Sequence, residues 1–548
     1  LWTTYDISKN MKKILPLFFI LLLPFSAFSQ EDAWVYFNAK PNAATFFDSP
    51  LKMLSQRALD RRANQNIALD FIDIPIEQSY VKQIKETAGI AVLAQSKWLN
   101  ALHIQGTQIA INSLKDLSFV EKINFADKTL NVAVRKAKST KVKSLNKTSK
   151  TQINYTYGSS ANQIQMLNGQ LLHQQDYTGT GKVIAVLDAG FPGVNTTQPF
   201  QRLRENNQIL GGYNYVLRDP DFYTGSSHGA SVLSCMGGFK DSQLVGTAPD
   251  ASYYLFITED DTSEKPIEES LWVEAAESAD SLGVDIINSS LGYFDFDNPN
   301  YNHTYNDMNG NTTFISRGAE IAFSRGMIVV VSAGNSGGTP DPHIGAPADA
   351  VSVITVGAVN ASEVLTSISS LGPSYDERIK PDVLAQGQSV VLSNELGAIV
   401  TGSGTSFSSP IMAGMIACLW QAFPEKTNHE IRQLVIASAD KFASPNNQYG
   451  YGIPDFGLAV TNALSKPEFS TVDFRMYPNP THDFVSIAFP DKFDTGTVAI
   501  YTIFGQKVLE KTISNELPSI SLKALNNGIY FYKLESNSYS KTGKIIKN

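Results

Sequence analysis

A serine set between a glycine-rich turn and a proline, at the head of an apolar run, is the first arrangement in this chain that could do chemistry. Gly404-Thr405-Ser406-Phe407-Ser408-Ser409-Pro410 leads into Ile411-Met412-Ala413-Gly414-Met415-Ile416-Ala417. The turn, and a proline suited to the first turn of a buried helix, predict Ser406 at a helix N-terminus. Free N–H groups and the dipole favour negative charge there, as a nucleophile that joins an oxyanion-bearing intermediate requires. The same residue types also make plain helix caps, so the reading of Ser406 depends on a base and an acid elsewhere. Asp188 ends the apolar run Val186-Leu187-Asp188, at the strand end where parallel sheets gather catalytic groups. His228 stands where the polar loop Ser226-Ser227 runs into Gly229-Ala230-Ser231-Val232-Leu233. Asn335 follows another apolar run, within Ser332-Ala333-Gly334-Asn335-Ser336-Gly337. Singly these are a strand-end carboxylate, a loop histidine and a turn asparagine. Together they offer an acid to orient a base, a base for the hydroxyl, and an amide donor for an oxyanion.

The elements that must position them follow from patterning. Lys182 to Leu187, Asp285 to Asn288 and Met327 to Val331 are near-continuous apolar runs, which suit parallel strands buried on both faces. Helical stretches over Glu268 to Leu282 and Asn311 to Arg325 lie between them, so residues 151–465 read as an α/β domain. Before it, residues 30–150 read as a small α+β block. Trp34 to Phe37 and Ala91 to Leu93 are its strands; Leu51 to Asn64 and Glu77 to Glu86 are its amphipathic helices. Its end, Arg135 to Lys150, holds seven Lys/Arg and no acid, the composition of an exposed linker open to nicking. After it, residues 470–548 read as an antiparallel β-sandwich. Phe484 to Phe489, Thr497 to Phe504 and Ile529 to Glu535 are its strands, with turns at Gly505 and Asn526-Asn527-Gly528.

The order Asp188, His228, Asn335, Ser406 resembles that of the subtilisin-like serine proteases, the subtilases. The carrying segments are Asp188-Ala189-Gly190, His228-Gly229, Gly334-Asn335-Ser336-Gly337 and Gly404-Thr405-Ser406 with Pro410. Ile287-Asn288-Ser289-Ser290-Leu291-Gly292, Leu371-Gly372-Pro373 and Lys380-Pro381-Asp382-Val383 add to the likeness, which covers about 152 to 465. Three departures stand beside it: Ala189 where Ser or Thr is usual, Ala230 where Thr commonly follows His-Gly, and Phe407-Ser408 in place of Met-Ala. The resemblance implies a subtilisin-like parallel sheet flanked by helices and a serine endopeptidase acting on polypeptides. It makes Asp188, His228 and Ser406 the triad and Asn335 the oxyanion donor. It also implies that Ser290, Leu291 and Gly292 pair with substrate as an added strand. That segment would wall the pocket before the scissile bond together with Ala333 and Gly334, and Gly345 would leave it roomy. No cofactor is required for the chemistry; structural calcium is common in the family, without a ligand set assignable here. Residues 30–150 would be a propeptide that inhibits until cleaved. The C-terminal block, with Tyr477-Pro478-Asn479-Pro480 and Gly543-Lys544-Ile545-Ile546-Lys547, looks like the type IX secretion sorting domain of Bacteroidetes.

The rest of the sequence narrows the setting. Residues 1–10 read as an upstream extension. Residues 11–29 read as a signal peptide: Lys12 and Lys13, an apolar stretch to Phe25, then Ala27 and Ser29 before a cleavage point. No segment has the roughly 20 apolar residues of a spanning helix, which predicts a protein secreted or held at the cell surface. A net charge of -8 argues against a nucleic-acid partner. Two cysteines, Cys235 and Cys418, exclude a disulfide framework and read as buried thiols. An esterase of the α/β-hydrolase type is disfavoured because Gly402-Ser403-Gly404-Thr405-Ser406 does not fit G-x-S-x-G and because His precedes Ser. A surface protein on an inactive protease domain is disfavoured by the intact set of four residues.

Overall fold

The computed structural model describes residues 29–131, 155–464 and, further on, 475–477, 479, 481, 483–488, 495–502, 506–514, 519–536 and 539–548. The signal peptide expected over 11–29 (all but its last residue), the basic linker, Pro478 and Pro480 of the C-terminal motif and the Gly505 turn lie outside these residues. The chain divides into two compact units, Leu1–Ala459 and Val460–Asn548.

The first unit opens on a four-stranded antiparallel sheet of β1 (Gln30–Phe37), β2 (Ile90–Ser96), β3 (Ala101–Thr107) and β4 (Val120–Phe125), in the order β2-β3-β1-β4. Its core holds Val35, Phe37, Leu102, Ile104, Ile84 and Phe125. The helix expected over Leu51 to Asn64 is shorter: α1 is Gln56–Asn64. Ser55 fixes that start by accepting from Ala58 N at 3.2 Å, satisfying an otherwise unpaired N–H. The second, α2, is Gln78–Lys85, capped by the Glu77 carboxylate.

A seven-stranded parallel sheet follows: β5 (Val183–Asp188), β6 (Ile209–Asn214), β7 (Ser252–Ile257), β8 (Ile286–Ser289), β9 (Ile328–Ser332), β10 (Ile354–Val359) and β11 (Val383–Gln386). The order is β11-β10-β9-β8-β5-β7-β6. The runs at β5, β8 and β9 are buried throughout, as continuous apolar patterning requires. Helices α3 (His228–Gly237), α4 (Ile267–Leu282), α5 (Phe314–Ser324) and α6 (Thr405–Ala422) accompany it. Helix α5 starts later than the Asn311 expectation because Thr313 caps it, accepting from Ser316 N. Gly283, at φ 84, ends α4 in the left-handed conformation that glycine adopts at no steric cost. Helix α6 is buried along nearly its whole length against β8 to β11.

One expectation about α6 is corrected. Pro410 is not in the first turn; it is the sixth residue, inside the helix. The helix starts at Thr405 because Asn335 Oδ1 takes Thr405 N at 3.0 Å, serving as a cap from another segment.

The second unit holds two antiparallel sheets, as expected. One contains β12 (Arg475–Tyr477), β13 (Phe484–Ala488) and β16 (Ser519–Ser521) in the order β12-β13-β16. The other contains β14 (Thr495–Thr502), β15 (Lys507–Ser514), β17 (Gly528–Ser536) and β18 (Tyr539–Lys547) in the order β15-β14-β17-β18. Val485, Ile487, Val498, Ile500, Leu534 and Ile545 form its core. No helix among the described residues is long and apolar enough to cross a membrane.

Candidate active site

Register brings the strand-borne groups to one edge of the sheet. Ser289 of β8 pairs with Leu187 of β5 and with Val331 of β9, so Asp188, Ser290 and Ser332 leave these strands side by side. Asp188 is fully buried. Its Oδ1 lies 2.7 Å from His228 Nδ1 and accepts from Ala189 N at 2.9 Å. Its Oδ2 is buried without a hydrogen-bond partner, and Ala189 has no hydroxyl to offer. His228 is the first residue of α3, with a third of its side chain exposed. The Asp188 charge raises its pKa above the usual histidine value, against the opposing effect of burial. With Nδ1 bonded to the carboxylate, Nε2 is the nitrogen left for a substrate-side proton.

Ser406 is the second residue of α6. Its Oγ donates to the Ser290 carbonyl at 3.4 Å, and among the described residues no hydrogen bond joins it to His228. The two helices that carry them pack together, and the ring of Phe407, the residue after Ser406, has its centroid 5.9 Å from the imidazole. Asn335 lies in the loop after β9, but Gly334 takes the positive φ of that turn, not the asparagine. Asn335 Oδ1 accepts from Thr405 N at 3.0 Å and Thr405 Oγ1 at 3.1 Å. A backbone N–H can only donate, so the facing atom is the oxygen and Nδ2 remains a free donor. A Cβ placed on Gly404 would lie 3.7 Å from both Asn335 Nδ2 and Ser406 N, so the two donors flank one vacant space.

The segment after β8 carries the other expected residues. Ser290 is buried, Leu291 half-buried and Gly292 exposed, and the backbone of Leu291 and Gly292 is bonded to no described residue. Tyr293 bridges to Ala346 through two backbone bonds of 2.8 and 3.0 Å. That bridge brings Gly345 so close to the strand that a Cβ there would sit 3.0 Å from the Tyr293 carbonyl. Ala333 is buried and Gly334 half-buried after β9.

Sequence patterning missed two features. The Ser290 side chain also engages the nucleophile segment, donating to the Ser406 carbonyl at 2.8 Å. Helix α4 carries a stripe facing the N-terminal sheet. Trp34 Nε1 donates to Ser270 Oγ, Gln95 N to Glu274, Ser96 Oγ and Trp98 N to Glu277, and Arg61 and Arg62 to Asp280. Its signal was available: Glu274, Glu277 and Asp280 recur at spacings of three, which puts them on one face of the helix.

One carboxylate group among the described residues has the spacing of a metal site, Glu259, Glu264 and Glu268, with ligand atoms within 4.8 Å. Glu268 accepts from the N–H groups of Asp260 and Lys265, and Glu259 from the Tyr293 hydroxyl at 2.6 Å. Burial and like charge push Glu259 and Glu268 up, Glu268 to about 8. Cys235 and Cys418 are both buried and free.

Three family models match the chain: the subtilase family over residues 179–452, the Bacteroidota peptidase S8 propeptide domain over 32–146, and the secretion system C-terminal sorting domain over 475–548. Subtilisin NAT of Bacillus subtilis subsp. natto is 30% identical over 293 residues, covering 53% of this chain and 68% of its own. Serine protease AprX of Bacillus subtilis (strain 168) is 31% identical over 316 residues, covering 52% and 66%. The solved structure of the prenylagaramide maturation protease PagA aligns at 21% identity and a TM-score of 0.42, over 54% of this chain and 98% of that one. The sorting domain marks export by the type IX route to the cell surface or the extracellular space. Subtilases need no cofactor for catalysis. On the family model and the relatives together, this chain belongs to the subtilase family and is a serine endopeptidase.

Proposed function

We propose that peptide hydrolysis by this secreted serine endopeptidase runs through Asp188, His228 and Ser406, with Asn335 as side-chain oxyanion donor. The observation that carries the assignment is the 2.7 Å contact of His228 Nδ1 with a buried Asp188, beside a serine at a helix start. Ser406 Oγ attacks the peptide carbonyl as His228 Nε2 takes its proton, and the C–N bond breaks as His228 returns that proton to the leaving amine. Water then cleaves the acyl-enzyme by the same proton route. Asp188 holds the imidazole tautomer and stabilises the cation. Asn335 Nδ2 and Ser406 N donate to the developing oxyanion in the space beside Gly404.

The free backbone of Leu291 and Gly292 supports substrate binding there as an added strand, after Ser290. Ala333, Gly334 and Gly345 would wall the pocket before the scissile bond. The domain assignment proposed is 11–29 signal peptide, 30–150 propeptide and linker, 151–465 peptidase, and 470–548 sorting domain. The propeptide acts as an intramolecular inhibitor, and the sorting domain engages the secretion machinery. A fluorophosphonate probe tests the centre: the processed enzyme should label at Ser406 and Ser406→Ala should not. An unlabelled processed enzyme, or label on another serine, removes the assignment.

A further inference from the structure

In an α-helix the carbonyl of residue 406 is bonded by the N–H of residue 410. Pro410 has none. The carbonyl of Ser406 is therefore the one acceptor that α6 itself cannot satisfy at this turn, and a buried acceptor without a donor is costly. Ser290 Oγ fills the vacancy at 2.8 Å. Its orientation is fixed in turn: Asn288 Nδ2 donates to Ser290 Oγ at 3.3 Å, and Asn288 Oδ1 accepts from Ser409 Oγ at 2.9 Å. The chain of bonds leaves α6 at Ser406 and returns to it at Ser409. Asn288 and Ser409 are fully buried and Ser290 is 5% exposed, so water does not compete. The Ser290 carbonyl also accepts from Ser406 Oγ, so one residue holds the nucleophile by backbone and side chain together.

We propose that the Ser290 hydroxyl is a positioning group for Ser406, supplying from β8 the hydrogen bond that Pro410 withholds; this rests on the reading of Ser406 as nucleophile. The bond fixes ψ at Ser406, and with it the direction of the Cα–Cβ bond toward the substrate carbonyl. It also places that control on the strand that continues into Leu291 and Gly292, so the residues that seat substrate and the residue that aims the nucleophile are one segment.

The test is a double-mutant cycle on the secreted, processed enzyme, with active sites counted by titration. Ser290→Ala should lower kcat about 3–10-fold, the worth of one such bond, with KM changed less than about twofold. Ser290→Thr keeps a hydroxyl and should restore most of the rate. Pro410→Ala gives the helix an N–H for the Ser406 carbonyl, so Ser290→Ala should cost about twofold or less in that background. A wild-type kcat in Ser290→Ala, an equal loss in both backgrounds, or a threonine no better than alanine would overturn the proposal. If Pro410→Ala does not fold, the threonine rescue decides it alone. Probe labelling separates the two readings: Ser290→Ala should still label at Ser406, more slowly, whereas label on a different serine removes the nucleophile itself.

Discussion

In the proposed centre, Asp188 and His228 would set the pH range of activity. His228 must be neutral to accept a proton, and the Asp188 charge raises its pKa. The acid limb of kcat/KM should therefore lie above pH 6.5, the ordinary histidine value, with activity lost as pH falls through it. In Asp188→Asn that charge is gone while burial still lowers the pKa against the more distant Asp261, so the limb should move to lower pH while kcat falls about 10⁴-fold; a pH–rate profile of both enzymes checks this. Asn335→Ala should lower kcat about 10²–10³-fold at nearly constant KM, a range set by a subtilisin donor of the same kind. Asp188, His228 and Ser406 were locatable because they sit at a strand end or a helix start, and Asn335 because it follows a strand closely, which patterning reads. The Ser290 hydroxyl was not, since its partner is a carbonyl, which no residue type advertises. Pro410 falls beyond the first turn because the cap is Asn335, some 70 residues away in sequence.

Among elements, α4 joins the N-terminal sheet to the protease. Asp280 is fully buried and meets Arg61 Nη2 at 2.5 Å and Arg62 Nη2 at 2.6 Å, both guanidinium groups nearly inaccessible. Asp280→Ala strands the buried Arg61 cation, which costs about 3–5 kcal/mol, while Arg62 keeps its pair with Asp73. In the Ser406→Ala precursor, where the proposed self-cleavage is removed, that change should lower the thermal midpoint and expose the N-terminal sheet to added trypsin. An unchanged midpoint would mean that the pair contributes nothing net to docking. The strands of the central sheet were readable from continuous apolar runs, and helix limits were less so. Helices α1 and α5 both start at a Ser or Thr cap lying inside a longer amphipathic pattern. In the second unit, β15 and β18 went unread because Lys507–Ser514 and Tyr539–Lys547 are rich in lysine and serine, which mask alternation.

For the whole molecule, the proposed sequence of events is export, self-cleavage and loss of the propeptide. Expressed in a host with the secretion machinery, the wild type should acquire a new N-terminus within about 135–155, in and just after the basic linker, and Ser406→Ala should not. N-terminal sequencing of the secreted chains distinguishes the cases. Deleting residues 465–548 should leave probe labelling intact in cell extracts and abolish appearance of the enzyme outside the cell.

The acids on α4 carry a further consequence, for how long the propeptide stays. Burial of Glu277 beneath the N-terminal sheet pushes its carboxyl up to about 7, with Lys97 opposing. The docked form thus holds a proton that the separated form, near the usual 4.5, releases. The contribution of this carboxyl to docking is therefore full below that lower value, falls as pH rises from there through 7, and is level above it. An escort held by acids that regain their hydration on its departure is specific without being permanent. Through Glu277, separation of the propeptide is expected to be easier in neutral or alkaline medium than in acid.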